Sequence, residues 1–337
     1  MFFYIIRRLI AVVAMLFVIS ITTFLLFYAG PNDPARLTCA KNCTPATVEA
    51  NRHALGLDKP IAVQYGAFLK GLVSERSFPD DPVQEREAPQ TITKCAAPCL
   101  GYSFVKQTSV SSIIADGLPV TVSLAVGAFV LWMLVGVTSG VIAALRRGTF
   151  VDRGIVGVAL IGFSLPTFFI GLLLLNFVAI KWQLVPYPSY TPFFDNPAQW
   201  AVGLILPWIT LAAVYAASYV RLTRAYMLET MSEDYIRTAR AKGVREGKVV
   251  RRHGLRAALT PIVTAAGLDL GGLLGGVVIT EAVFNLNGLG RAAVQAVTSV
   301  DLPTIVGLVL VAALFVVIAN LIVDVLYGVI DPRVRLS

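Results

Sequence analysis

From Leu118 to Leu145 the chain runs 28 residues without a charged side chain. A helix rises about 1.5 Å per residue, so this run is long enough to cross the roughly 30 Å hydrocarbon core of a bilayer. Further apolar runs lie at Leu9–Ala29, Gly154–Ile180, Trp200–Val220, Pro261–Phe284 and Pro303–Ile330. Charged residues make up 14% of the 337, against about 25% in a soluble domain. The expected fold class is an all-α integral membrane protein with six transmembrane helices and a long external loop between helices 1 and 2.

The first run could be confused with a secretory signal. A signal has an apolar core of about 7–15 residues and a small-residue cleavage site. Here Arg7 and Arg8 precede a longer run that leads into Gly30-Pro31-Asn32-Asp33-Pro34. An uncleaved first span with its N-terminus inside is the expectation.

Basic residues then set the topology, because cytoplasmic loops carry the Lys/Arg excess. Arg7 and Arg8, Arg146, Arg147 and Arg153, and Arg333 and Arg335 fall in short segments assigned inside. Between Arg221 and Arg256 stand ten Lys/Arg against four acids, so this stretch holds +6 of the chain's net +8. The loop at 30–117 is nearly neutral, and long loops translocate largely regardless of charge. Both termini are therefore expected in the cytoplasm and the loop outside, and the excess charge gives no reason to expect nucleic acid.

That loop holds all four cysteines, Cys39, Cys43, Cys95 and Cys99. Two CxxxC pairs facing an oxidising compartment point to two disulfides. Zinc is the rival, since structural sites also space cysteines by two to four residues. Four cysteines allow three pairings, and the two local pairs are preferred. Residues 53–74 look like a short amphipathic helix with Ala62, Tyr65, Phe68, Leu69 and Leu72 on one face. Residues 75–101 read as an insertion.

The basic stretch 221–260 has an internal pattern of helix, stop, helix. Ser232 is the expected N-cap, Glu233 and Asp234 sit at the positive helix end, and Arg240 and Lys242 at the negative end. Gly243 suits the left-handed position that ends a helix. Tyr235, Ile236 and Ala239 share a face. A second basic helix is expected from about Val244, bounded by Pro261. The plain alternative is a positive loop that only fixes topology.

Chemistry is sparse. Gly243-Val-Arg-Glu-Gly247-Lys248-Val249 has the wrong glycine spacing for a phosphate-binding loop and lacks Ser/Thr after the lysine. There is no HExxH and no GxSxG, and His53 and His253 stand alone. These absences argue against a membrane enzyme. Pro166, in SLPTFFIG (164–171), predicts a kink with freed backbone groups beside Ser164. Asp269 lies inside an apolar run, where an ionisable group suggests a pathway or a paired structural site. Glu281, Asp301 and Asp324 are expected near span ends, relieved by water. Gly267, Gly271 and Gly275 recur every four residues, a pattern for close helix packing.

The chain resembles the membrane permease subunits of binding-protein-dependent ABC importers. Their general signature, EAA-x3-G-x9-I-x-L-P, matches only at Ala239, Gly243 and Leu255. The dipeptide/oligopeptide branch is closer. Asp234–Gly243 reads DYIRTARAKG and His253–Pro261 reads HGLRAALTP. LGLDKPIAVQY (55–65), LPVTVSLA (118–125), SLPTFFIGLLLL (164–175) and DVLYGVIDPRVR (324–335) are also similar to that branch. The departures are the insertion at 75–101 and Asn287, where the branch commonly has proline.

The resemblance implies a type I ABC importer permease fold. It divides the chain into 1–29 (N-terminus and first span), 30–117 (external loop), 118–330 (permease core) and 331–337 (cytoplasmic tail). It implies a transport subunit, not an enzyme, of an ATP-driven importer of di- or oligopeptides, with nickel and glutathione as alternatives; Asp269 and the glycine-rich fifth span point instead to a different class, an ion-coupled transporter or channel. Expected partners are a second homologous permease, two cytoplasmic ATPase subunits, an extracytoplasmic solute-binding protein and the lipid bilayer. No cofactor is expected in this chain, with ATP and Mg held by the partner subunits. Tyr235, Ile236, Arg237, Thr238, Ala239, Arg240, Ala241, Lys242 and Gly243 would couple to an ATPase. Tyr235, Ile236 and Ala239 would fill its groove, and Arg240 and Lys242 would pair with acids around it. Asp269, Ser164 and Pro166 are candidates for the translocation path.

Overall fold

The computed structural model describes residues 2–28, 34–37, 44–54, 56–78, 92–103 and 105–330. Cys39, Cys43 and the tail 331–337 lie outside the described residues, and Asp324 lies outside those with described side chains. Helices dominate. Three are long and apolar enough to cross a bilayer: Val110–Leu145, Pro197–Ser232 and Leu302–Leu321. The count reaches five if the bent pairs Phe150–Ser164 with Thr167–Lys181, and Glu246–Leu273 with Val277–Val283, are one span each. Ile10–Leu25 is a shorter apolar stretch within the Phe2–Tyr28 helix.

The chain divides into two compact units. One comprises Met1–Pro119 with Asn287–Phe315. Its expected 53–74 helix is split into Pro45–Ala54 and Ile61–Gly71, because Gly56 takes φ +65° in the turn between them. Phe68, Tyr65, Leu69 and Leu72 do share a face, packed with Phe24 and Val306, whereas Ala62 is exposed. Tyr65 donates to Ser20 Oγ at 3.2 Å. Within 75–101, Arg76–Phe78 pairs antiparallel with Thr93–Cys95, and Cys95 is joined to Cys99 by a disulfide. The disulfide expectation therefore holds for one local pair. Asp301 departs from expectation: it is 2% exposed. Its Oδ2 accepts from Ser103 Oγ at 2.5 Å and Thr304 Oγ1 at 2.7 Å, and these hydroxyls replace the water assumed for a span end.

The other unit comprises Val120–Leu286 with Val316–Ser337. Its core gathers Trp132, Tyr219, Leu124, Leu204, Leu211, Ile262, Leu273 and Phe284, all buried. Lipid tails are as apolar as leucine, so membrane helices associate mainly through close packing. The Val110–Leu145 helix supplies it with small residues. A Cβ at Gly127 would sit 2.0 Å from the Trp208 ring, and the indole there donates to Ser123 O at 3.0 Å. Gly136 and Gly140 receive Tyr219 and Thr223 of Pro197–Ser232 in the same way. Gly271 meets Ala319 of Leu302–Ile330, so the packing reading holds at that member of the glycine series.

Helix boundaries depart from the hydropathy runs, because hydrogen bonds and not apolar composition end a helix. Val110–Leu145 starts eight residues before Leu118, where Ser109 Oγ accepts from Ser112 N at 3.2 Å. Pro197–Ser232 continues well past Val220 into the basic stretch. Pro261 is no boundary: it lies inside Arg256–Val283, between the buried Ala258 and Ile262. Losing one backbone bond is tolerated where the flanking turns stay packed. Pro166 does break its run. Leu165 and Pro166 are extended, and the flanking helices Phe150–Ser164 and Thr167–Lys181 bend by 101°. Ser164 Oγ donates to Leu160 O at 2.8 Å, satisfying one carbonyl at the broken end.

Candidate functional site

The segment after Pro197–Ser232 forms a short, well-terminated helix, Asp234–Ala241. Ser232 does not cap it. Ser232 is still helical and donates to Glu229 O at 2.7 Å, while extended Glu233 (φ −67°, ψ 151°) holds the cap position. The cap is made by backbone: Glu233 O accepts from Ile236 N at 3.1 Å and Arg237 N at 3.3 Å. Thr238 Oγ1 donates back to Asp234 O at 2.9 Å. At the other end Gly243 takes φ +75°, as expected. Gly243 N donates to Arg240 O and Val244 N to Ala239 O, the paired bonds of a Schellman stop.

The helix has two unlike faces. Ile236 is fully buried and Ala239 half-buried, so Ile236 anchors the helix to its own unit and cannot fill a partner's groove. Tyr235 is 45% exposed, and Arg237, Thr238, Ala241 and Lys242 are also exposed. Arg240 is committed within the chain: its Nη2 and Nε donate to Glu246 at 2.7 and 3.1 Å. These bonds lift the Arg240 guanidinium above its ordinary range and hold the Glu246 carboxyl below the usual carboxylate range. Arg237 contacts Asp234 at 3.3 Å. Lys242 makes no ion pair among the described residues.

The expected second basic helix starts at Glu246 and passes through a wide turn, Val249–Leu255, into Arg256–Val283. Gly254 lies against Met231 and Met227, where a Cβ would meet the Met231 sulfur at 2.8 Å. Val249 is buried while Arg251 and Arg252 point outward. The basic stretch is thus folded back on the end of Pro197–Ser232, with its charges on the open side.

A second tie binds the loop at 146–153. Arg224 grips Asp152 with two parallel bonds, Nε to Oδ1 at 2.7 Å and Nη2 to Oδ2 at 2.8 Å. Gly148 N also donates to Asp152 Oδ2, at 2.9 Å. Asp152 is 3% exposed, and the Arg224 bond, then the Gly148 bond, lowers its carboxyl to about 2. Sequence reasoning missed this pair. Thr149-x-x-Asp152 is a capping-box pattern that could have found half of it, and Thr149 Oγ1 does accept from Asp152 N at 3.5 Å.

Two carboxylates lie on Arg256–Val283 itself. Glu281 is fully buried, not water-relieved, and accepts from Thr121 Oγ1 at 2.6 Å. Asp269 is half-buried, and its Oδ2 accepts from Tyr219 OH at 2.7 Å. Ser164 and Pro166 are exposed at the break between their two helices, and among the described residues no hydrogen bond joins them to Asp269. Among the described residues, no group of three His, Cys, Asp or Glu is placed to hold a metal ion.

A scaffold of apolar helices carrying a short helix in a basic, polar loop defines an integral membrane component. The comparisons name its kind: this chain belongs to the binding-protein-dependent transport system inner membrane component family. That family's model matches residues 136–336, and the model of its N-terminal region matches residues 1–125. A Brucella abortus protein named for a peptide transport system, as its permease, is 39% identical over 98% of both chains. A Sinorhizobium fredii peptide ABC transporter permease is 38% identical over 98% of this chain and 99% of its own. The Escherichia coli glutathione transport system permease GsiC is 36% identical over 98% of both. In fold, the chain is similar to a chain of the inward-facing MetNI methionine ABC transporter. The TM-score is 0.51 at 18% identity, over 66% of this chain and 97% of that one.

Proposed function

We propose that this chain is a transmembrane permease subunit of an ATP-driven importer for di- or oligopeptides. The observation that carries this reading is full-length identity of 39% to a permease named for peptide transport. Six spans with both termini cytoplasmic accommodate the charge distribution, and place 30–117 outside with its disulfide. The chain works beside a second homologous permease, two cytoplasmic ATPases that hold ATP and Mg, and an external solute-binding protein.

Asp234–Ala241 is the coupling helix. Buried Ile236 and the Gly243 stop make it stiff, and the exposed Tyr235, Arg237, Thr238, Ala241 and Lys242 are the groups left to meet an ATPase. Arg240 acts from within, bracing the helix against Glu246. ATP-driven closure of the ATPases moves such helices together, and the access change needs only differential stabilisation of two states. Asp269, with Ser164 and Pro166 at the broken third span, belongs to the translocation path.

Affinity purification with the partner chains tests this. A peptide-loaded binding protein should raise ATPase activity. Stimulation by glutathione alone would move the substrate to that of the 36%-identical relative, and by nickel alone would overturn the peptide assignment. Transport by this chain alone in liposomes without ATP would overturn the importer reading.

A further inference from the structure

Asp269 is held in an unusual way for a carboxylate within an apolar helix. Its Oδ2 is fixed by Tyr219 OH at 2.7 Å. Among the described residues Oδ1 accepts no hydrogen bond, and no Lys, Arg or His pairs with it. An ionised carboxylate is expensive in hydrocarbon, which favours a water-filled or protein-lined space over a lipid-facing one. The neighbouring surface is open. Leu268 is 55% exposed, and a Cβ at Gly272, one turn on, would meet nothing within 4 Å.

The wall beside the carboxylate is aromatic. Tyr215, one turn from Tyr219, stacks on Trp132 with ring centroids 4.5 Å apart, and the Trp132–Tyr219 separation is 6.2 Å. Trp132 is fully buried, and among the described residues its indole N–H finds no acceptor. This rigid aromatic support fixes the Tyr219 hydroxyl and so the carboxylate. An acceptor-only oxygen suits a small cation that donates hydrogen bonds, and an ammonium is such a cation.

We infer that Asp269, positioned by Tyr219 and flanked by Tyr215, binds the primary ammonium of the transported molecule, the free α-amino end of a peptide. The inference rests on the importer reading and deepens it. Oδ1 receives the ammonium protons while Oδ2 stays on Tyr219, so the site is ready without rearrangement. A carboxylate of the substrate would be repelled here, so the free amino end and not the carboxyl end is recognised.

The test is initial uptake of trialanine and of N-acetyl-trialanine by the complete transporter in proteoliposomes. Wild type is compared with Asp269→Asn, whose amide oxygen can still accept from Tyr219. Both transporters receive substrate from the same binding protein, so its own preference cancels when the two ratios are compared. The ratio of free-amine to acetylated uptake should fall about tenfold in Asp269→Asn, the worth of one charge-assisted bond. Tyr219→Phe should keep most of the ratio, since the charge remains. Without any variant, ethylammonium should slow wild-type trialanine uptake more than acetylated uptake. An unchanged ratio in Asp269→Asn, or equal inhibition by ethylammonium, would overturn the ammonium site while leaving the importer intact. No ATP-dependent uptake of either peptide by wild type would overturn both.

Discussion

Two aspartates meet the same helix five residues apart and do different things. Asp152 meets Pro197–Ser232 at Arg224, and Asp269 meets it at Tyr219. Asp152 is sealed: a bidentate guanidinium and a backbone N–H occupy both oxygens of a nearly inaccessible carboxylate. Asp269 is half-open, and one neutral phenol is its partner. A carboxylate whose charge is already matched can only tie elements together. One whose charge is unmatched, in a place where charge is costly, is available for a cation that comes and goes. On the function proposed above, the first stiffens the coupling end and the second faces the path.

The largest effect on folding should come from Arg224→Ala, which strands a buried carboxylate. The melting temperature of the purified protein should fall further than for any other substitution named here. Because the folded carboxyl sits at about 2, below its ordinary 3.8, the pair's contribution is complete above pH 4. It is lost as pH falls from there towards 2. The wild-type advantage should therefore be flat from pH 5 to 8 and shrink below 4, and an advantage that grows on acidification would break the assignment.

Asp269→Asn should show the opposite profile. It should cost within about 1 kcal/mol of stability, since the Tyr219 bond survives in neutral form. Its effect should instead fall on uptake, so a large drop in melting temperature would make Asp269 a second structural tie. Thr121→Val lies between the two. It removes a donor from fully buried Glu281 and should cost about 1–3 kcal/mol, with any loss of uptake following from stability.

At the proposed coupling helix, Gly243→Ala forces a side chain into φ +75° and should cost about 1 kcal/mol. Its clearer signature is loss of substrate-stimulated ATPase activity out of proportion to that cost. The smallest change in stability belongs to the exposed Arg240–Glu246 pair. Glu246→Gln should barely shift melting, whereas reversing Arg240 and Lys242 together should uncouple ATPase from transport. Normal coupling in that double variant would reduce the helix to a topological loop.

Some of this was legible from residue order alone. Apolar runs, basic loops, the Gly243 stop, the Pro166 break and the DYIRTARAKG match are local quantities, each set by a short stretch meeting lipid, water or its own backbone. Face assignment was half right at Asp234–Ala241: helical spacing put Ile236 and Tyr235 together, but packing buried one and left the other out. Ser232 misled because hydroxyls suit both a cap and a helix interior, and the extended residue proved to be Glu233.

Residue order was enough to put this chain in a membrane, to locate the stretch that concentrates its basic charge, and to mark where its short helix stops. Which acids are matched came from the packing of distant helices. Asp152 with Arg224, Tyr219 with Asp269 and Thr121 with Glu281 are separated by 72, 50 and 160 residues. Periodicity reports the face a residue prefers, at a cost set by its surroundings. Which side chain stands opposite depends on how helices approach, and glycines such as Gly136 and Gly140 set that approach through the side chains they lack.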